Sequence, residues 1–153
     1  MQVLRIAKRK YANTAFSGEG TQRVGGRWTP RGVKAVYTSS SLALAALELL
    51  VHLASEDIGT LFVAIAADIP DDLQIDAIAQ SQLPDNWRDT PAPAALSGIG
   101  QEWLKAGRTA VLSVPSAVIP SERNYLLNPE HPNFERIKIA RPEVFSFDPR
   151  LQK

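Results

Sequence analysis

The stretch AVYTSSSLALAALELLVHLA, Ala35 to Ala54, carries a whole structural unit in twenty residues. Ala35-Val36-Tyr37-Thr38 reads as a strand, and Ser39-Ser40-Ser41 supplies hydroxyls able to cap the orphan N–H groups of a following helix. That helix is predicted from about Leu42 to Ala54. Its sequence is apolar almost all round, which predicts burial over most of its circumference. Glu48 interrupts it. An ionised carboxylate is rarely buried without a partner, because removing the charge from water costs several kcal/mol even after relaxation. Glu48 therefore needs a partner or a purpose, unless it faces solvent on a narrow polar strip and pairs with His52 one turn on.

Outward from this unit, the rest of the chain reads as short strands separated by turns. Val3 to Ala7 suits a first strand and ends in the basic cluster Lys8-Arg9-Lys10, a solvated strand end. Gly18, Gly20, Gly25 and Gly26 predict a mobile loop. Leu61 to Ala66 is an apolar run too short for a core helix and reads as a buried strand turned by Pro70-Asp71-Asp72. Leu83 to Gly100, with three prolines and two glycines, predicts a surface connection before a short helix near Gln101 to Ala106. Ala110 to Val114 is another strand, and Ser116 to Pro120 is expected to continue extended. Asn124 to Pro132 is dense in turn formers and reads as an ordered loop. Arg136 to Ile139 and Val144 to Phe147 alternate polar with apolar and predict two late strands. Many strands with few helices indicate a single α+β domain of mixed small sheets over residues 1–153.

Composition narrows the function. The chain has 153 residues, 44% hydrophobic and 22% charged, far from the composition of disordered segments. Seventeen basic against sixteen acidic residues leave a net charge of +1, without the basic face that a nucleic-acid binder needs to neutralise phosphates. The absence of cysteine excludes disulfides, a thiolate nucleophile and cysteine-ligated zinc. With only His52 and His131, no metal site is expected. Met1-Gln2-Val3-Leu4-Arg5-Ile6 lacks the apolar core of a secretory signal, and the Leu42–Leu53 run falls short of a bilayer span, so a cytoplasmic location is expected.

Two further places carry candidate chemistry. In Gly25-Gly26-Arg27-Trp28 the glycines permit close backbone approach, and Arg27 offers a fork of donors matching phosphate or carboxylate. The same residues also make an ordinary tight turn with Trp28 in the core. They are no dinucleotide fingerprint, since no strand precedes a G-x-G-x-x-G that opens a helix. Ser116 sits between prolines in Val114-Pro115-Ser116-Ala117-Val118-Ile119-Pro120. It is either satisfied by backbone or contacts a ligand, and it lacks the glycines of a nucleophile elbow.

Taken in order, Gly25-Gly26-Arg27-Trp28-Thr29-Pro30-x-Gly32, Val36-Tyr37-Thr38-Ser39, Ala46-Leu47-Glu48, Val114-Pro115-Ser116-Ala117-Val118, Asn124-Tyr125-Leu126-Leu127-Asn128-Pro129-x-His131-Pro132 and Phe147-Asp148-x-Arg150-Leu151 resemble the RES domain. The resemblance runs from about Arg5 to Leu151. The family's Arg, Glu and Ser match Arg27, Glu48 and Ser116. It departs at Thr29, where the family often has Asn, and no role is assigned to Thr29 from sequence.

The resemblance implies a fold similar to ADP-ribosyltransferases. It also implies the toxin of a bacterial type II toxin–antitoxin system that degrades NAD at its nicotinamide–ribose bond, by hydrolysis or phosphorolysis. Glu48, Arg27 and Tyr37 then form the catalytic set, with Arg27, Tyr37, Ser116 and Gly26 binding NAD. NAD is a substrate, and no cofactor is implied. The implied partner is an Xre-type helix-turn-helix antitoxin covering the cleft, and a homodimer stays open. Glu48 would stabilise the oxocarbenium-like cation left by nicotinamide. Arg27 would bind pyrophosphate, Tyr37 would stack on the nicotinamide ring, and Ser116 would hydrogen-bond the ribose or Glu48. Two alternatives remain: a protein mono-ADP-ribosyltransferase using the same residues, and a non-catalytic module that binds a partner through the glycine-rich loop.

Overall fold

The computed structural model describes residues 1–57 and 59–151, so the last two positions of the predicted 1–153 domain lie outside the described residues. In chain order the elements are β1 (Gln2–Lys8), α1 (Glu19–Val24), β2 (Val36–Ser39), α2 (Leu42–Leu50), β3 (Phe62–Asp68), β4 (Ile75–Ala77), α3 (Ala94–Ala106), β5 (Val111–Pro115), β6 (Arg123–Leu127), β7 (Lys138–Ile139) and β8 (Glu143–Phe145). The strands form one eight-stranded sheet in the order β4-β5-β6-β2-β1-β3-β7, with β8 also on β3. Among the described residues only β4 and β5 run parallel. The fold is α+β, as expected, with one curled mixed sheet.

The strand period of two sorts the core onto both faces of the sheet. Val3, Val36, Ile65, Val111 and Leu127 belong to one buried cluster. Leu112, Val114 and Leu126 join Trp28, Trp87, Leu96 and Trp103 in another. All five residues of β5 are buried, which explains a near-continuous apolar run with no wet face.

The sheet is weakest between β1 and β2. β1 pairs with β3 along all seven residues from Gln2↔Asp68 to Lys8↔Phe62, but with β2 only at Leu4↔Ser39. Beyond that rung a side chain replaces the ladder: Arg5 Nη1 donates to the Tyr37 carbonyl at 2.9 Å. Helix α2 packs against both strands at this parting. Ser41 caps it, its Oγ accepting the Leu44 N–H at 3.1 Å.

Several expectations are corrected. Helix α2 ends at Leu50 instead of Ala54 and buries fully only Leu44 and Ala45, while Leu42 and Val51 are exposed. Its apolar circumference thus exceeds its burial. The glycine-rich segment holds α1, entered from Gly18 in the left-handed region (φ 79°). The connection before the third helix ends at Pro93, and α3 starts seven residues earlier than the expected Gln101. Gly100 lies inside α3, where any side chain would put a Cβ against the Trp28 carbonyl oxygen. Ser116 to Pro120 turns instead of extending, because the Val118 and Ile119 N–H groups bond to the Ser116 side chain. Asn124 to Leu127, read as loop, is part of the central strand β6. β4 was not anticipated, and the late strands shrink to Lys138–Ile139 and Glu143–Phe145 on the outer edge of β3. No helix among the described residues is long and apolar enough to cross a membrane.

Candidate functional site

Ser39 on β2 and Asn124 on β6 are register partners, so their side chains share one face. Helix α2 lowers Glu48 onto this rung. Asn124 Nδ2 donates to Glu48 Oε1 at 2.7 Å, and Ser116 Oγ donates to the same oxygen at 2.6 Å. Ser39 Oγ donates in turn to Asn124 Oδ1 at 2.7 Å. The fully buried Ser116 hydroxyl also accepts the N–H groups of Val118 and Ile119 at 3.1 and 3.0 Å. Its one donor and two acceptor sites are all in use, which suits a positioning group and not a nucleophile. Glu48 Oε2 has no hydrogen-bond partner among the described residues, and Glu48 is half-buried. His52, the alternative partner, is exposed and does not pair with it.

A second cluster lies one step along the same face of β2, at Tyr37. The Trp28 N–H donates to the Tyr37 hydroxyl at 3.1 Å, and Thr29 Oγ1 shares a hydrogen bond with it at 2.8 Å. Thr29, given no role from sequence, therefore holds the phenol. Gly26 packs against the hydroxyl end of the ring, where a Cβ would stand 2.5 Å from the oxygen. Burial raises the Tyr37 pKa above the ordinary tyrosine value, opposed by the Thr29 and Trp28 hydrogen bonds and by the nearby positive charge of Arg27. Arg27 Nη1 donates to the carbonyls of Trp87 and Asp89 at 2.8 and 2.9 Å, tying the glycine-rich loop to the segment before α3. Arg27, Arg31, Gly25 and Gly26 line a cavity of about 220 Å³ with Pro93 and Ser97.

The structure thus gathers Glu48, Ser116, Asn124 and Ser39 into one hydrogen-bonded group, and Tyr37, Gly26, Thr29 and Arg27 into a neighbouring one. No hydrogen bond joins the two among the described residues. Sequence reasoning missed Ser39 and Asn124, which it read as a helix cap and a turn former.

It also missed Arg5. This arginine lines a larger cavity, about 320 Å³, with Lys8, Glu19, Arg23 and Leu49. One of its nitrogens, Nε, is buried without a hydrogen-bond partner among the described residues. Burial lowers the Arg5 pKa from the usual arginine value. The available signal was a lone arginine inside the apolar strand Val3–Ala7, the cationic counterpart of Glu48 in its apolar helix.

The sequence matches the RES domain over residues 2–148. It is 39% identical over 153 residues to Toxin Res of Yersinia enterocolitica serotype O:8 / biotype 1B, covering 99% of this chain and 100% of that protein. It is 37% identical over 145 residues to the Prs ADP-ribosylating toxin of Sphingobium sp. strain YBL2, covering 94% and 90% of the two chains. The fold is similar to that of a chain in the crystal structure of the M. tuberculosis MbcT–MbcA toxin–antitoxin complex. There the TM-score is 0.78 at 15% identity, with 95% of this chain and 84% of that one covered. A match over nearly the whole length, with relatives that align end to end, shows that the chain belongs to the RES domain family.

Proposed function

We propose that this protein is the toxin of a toxin–antitoxin pair and that it acts in the cytoplasm by cleaving the nicotinamide–ribose bond of NAD. The observation that carries the reading is the Glu48 carboxylate, held through one oxygen by two neutral donors, its other oxygen without a partner among the described residues. When the glycosidic bond breaks, the electron pair leaves with nicotinamide, which departs neutral and needs little general-acid help. The positive charge stays on the ribose, where a preorganised carboxylate stabilises it. Water or phosphate then adds to the anomeric carbon and gives up a proton to solvent. Arg27 is the group suited to the diphosphate, since among the described residues its guanidinium bonds only through Nη1 and keeps other N–H donors unused. Tyr37 borders the nicotinamide end, its hydroxyl fixed by Thr29 and Trp28. NAD serves as substrate, with no cofactor.

The toxin relatives support this reading, and the MbcT–MbcA likeness supports an antitoxin as partner. We take that partner to be of the Xre helix-turn-helix type, covering the cleft. The name of the Sphingobium relative favours a second reading, transfer of ADP-ribose to a protein acceptor through the same residues.

Incubating the purified chain with NAD, with and without phosphate, and following nicotinamide and ADP-ribose products by NMR tests the proposal. Nicotinamide release is expected, and a phosphate-dependent product assigns phosphorolysis over hydrolysis. Labelled ADP-ribose on a protein, with little free product, selects the transferase. No turnover from folded, antitoxin-free protein returns the chain to a binding role.

A further inference from the structure

The rung that holds Glu48 is polar at only two places. Across β5, β6, β2 and β1 it reads Val114, Asn124, Ser39 and Leu4. The adjacent rung on the same face pairs Leu112 with Leu126 and Leu126 with Tyr37. Buried amides and hydroxyls cost free energy unless bonded, and apolar residues would serve the sheet as well. The polar pair stands where the carboxylate of α2 arrives.

An Asn side chain has a donor end and an acceptor end, and only one orientation suits a carboxylate. The carboxylate accepts only, so it draws Nδ2 toward Glu48, and Ser39 Oγ donates to the Oδ1 left at the other end and anchors the amide there. The reversed amide would set two acceptors against each other. Both groups on Glu48 Oε1, the Asn124 amide and the Ser116 hydroxyl, are uncharged, and Glu48 is in no salt bridge among the described residues. A Lys or Arg would also hold the carboxylate, but it would cancel the negative charge that a developing cation needs.

We infer that Asn124, with its amide anchored by Ser39, is a positioning residue that holds Glu48 by neutral hydrogen bonds and leaves Oε2 and the negative charge for the cation formed from substrate. The inference rests on the NAD-cleavage reading. It adds two residues to the site and a specific chemistry, orientation without neutralisation.

The test compares Asn124→Ala, Asn124→Asp, Ser39→Ala and Ser39→Thr in the full chain, with NAD as substrate. Asn124→Ala is expected to lower kcat for nicotinamide release by about 10- to 100-fold, with KM changed less than about twofold, as for a misaligned reacting group. Asn124→Asp loses more, since it sets carboxylate against carboxylate. Ser39→Ala gives a smaller loss, and Ser39→Thr, which restores the hydroxyl, recovers it. Wild-type kcat in Asn124→Ala, or KM rising in step with any loss of kcat, overturns the inference. The carboxyl-carbon NMR resonance of Glu48 gives a readout independent of turnover. It should move in Asn124→Ala and Ser39→Ala but not in Ser39→Thr, and an unmoved resonance in Asn124→Ala overturns the arrangement. If the wild type releases no nicotinamide, the cleavage reading falls, and this resonance still decides whether Asn124 orients Glu48.

Discussion

Glu48 and Tyr37 are each held by neutral groups, yet they answer to different measurements. Glu48→Gln keeps an oxygen for the Asn124 and Ser116 donors while removing the charge, so it separates electrostatics from shape. Nicotinamide release should fall by at least about 100-fold, with the melting temperature nearly unchanged, if developing positive charge is what the carboxylate serves. Retained turnover would remove Glu48 from the catalytic set. Tyr37→Phe leaves the Trp28 N–H without its partner and should cost about 1–3 kcal/mol in a urea titration. Its folded-state pKa is raised by burial, so the phenol contributes stability that is complete below the unfolded tyrosine pKa of about 10 and is lost as pH rises through the higher folded value. The wild type should therefore lose melting temperature above about pH 10 more steeply than Tyr37→Phe.

At the scale of elements, α3 fastens the loop that serves Tyr37. Gly100 lets the helix lie against the Trp28 carbonyl, Trp28 and Thr29 hold the phenol, and Gly26 closes on its hydroxyl end. The chain of contacts runs from a helix glycine to a site residue. Gly100→Ala forces backbone to move and should destabilise the protein by about 1–3 kcal/mol, as overpacking generally does. Turnover should fall as well, because the moved carbonyl belongs to the loop that holds Tyr37. Gly98→Ala is the control: a Cβ there meets nothing within 4 Å, so it should leave both stability and turnover nearly unchanged or slightly improve the helix. Equal effects of the two substitutions in urea titrations would show that Gly100 is not a packing position.

Across the whole molecule, distant parts of the chain are joined at the surface by acid–base pairs. Arg136 donates two hydrogen bonds to Asp72, at 2.6 and 2.8 Å, across 64 residues of sequence. Those hydrogen bonds, with the arginine charge behind them, hold the Asp72 pKa below the ordinary carboxylate value. Asp148 is lowered by Arg150, and Asp57 by the Ala54 N–H and Lys8. A depressed folded pKa means stability that is present above the unfolded carboxylate pKa of about 4 and lost as pH falls through the folded value. Melting temperature should thus decline below about pH 4, and Asp72→Asn should flatten that decline. The Arg136–Asp72 pair is solvent-exposed, so the flattening, and the equal loss of stability at neutral pH in Asp72→Asn, should both be small.

The strand, serine cap and helix of Ala35 to Leu50 were legible in the chain because their causes are local: side-chain periodicity and a hydroxyl within reach of the first helical N–H groups. Arg27, Tyr37, Glu48 and Ser116 were picked out by motif order, and the apolar runs of β3 and β5 by their length. The rest depends on contacts between residues far apart in sequence. Asn124 looks like a turn former until β6 pairs with β2 and sets it opposite Ser39, 85 residues away. Arg5 looks like an ordinary strand residue until β1 and β2 part beside it and leave its Nε without a partner among the described residues. Gly100 looks like a loop signal until α3 meets Trp28. Register and close approach between distant segments are set by how the two buried faces of the sheet pack. Local sequence therefore settled which pieces form and which residues bear charge, while tertiary packing chose which neutral groups meet the carboxylate.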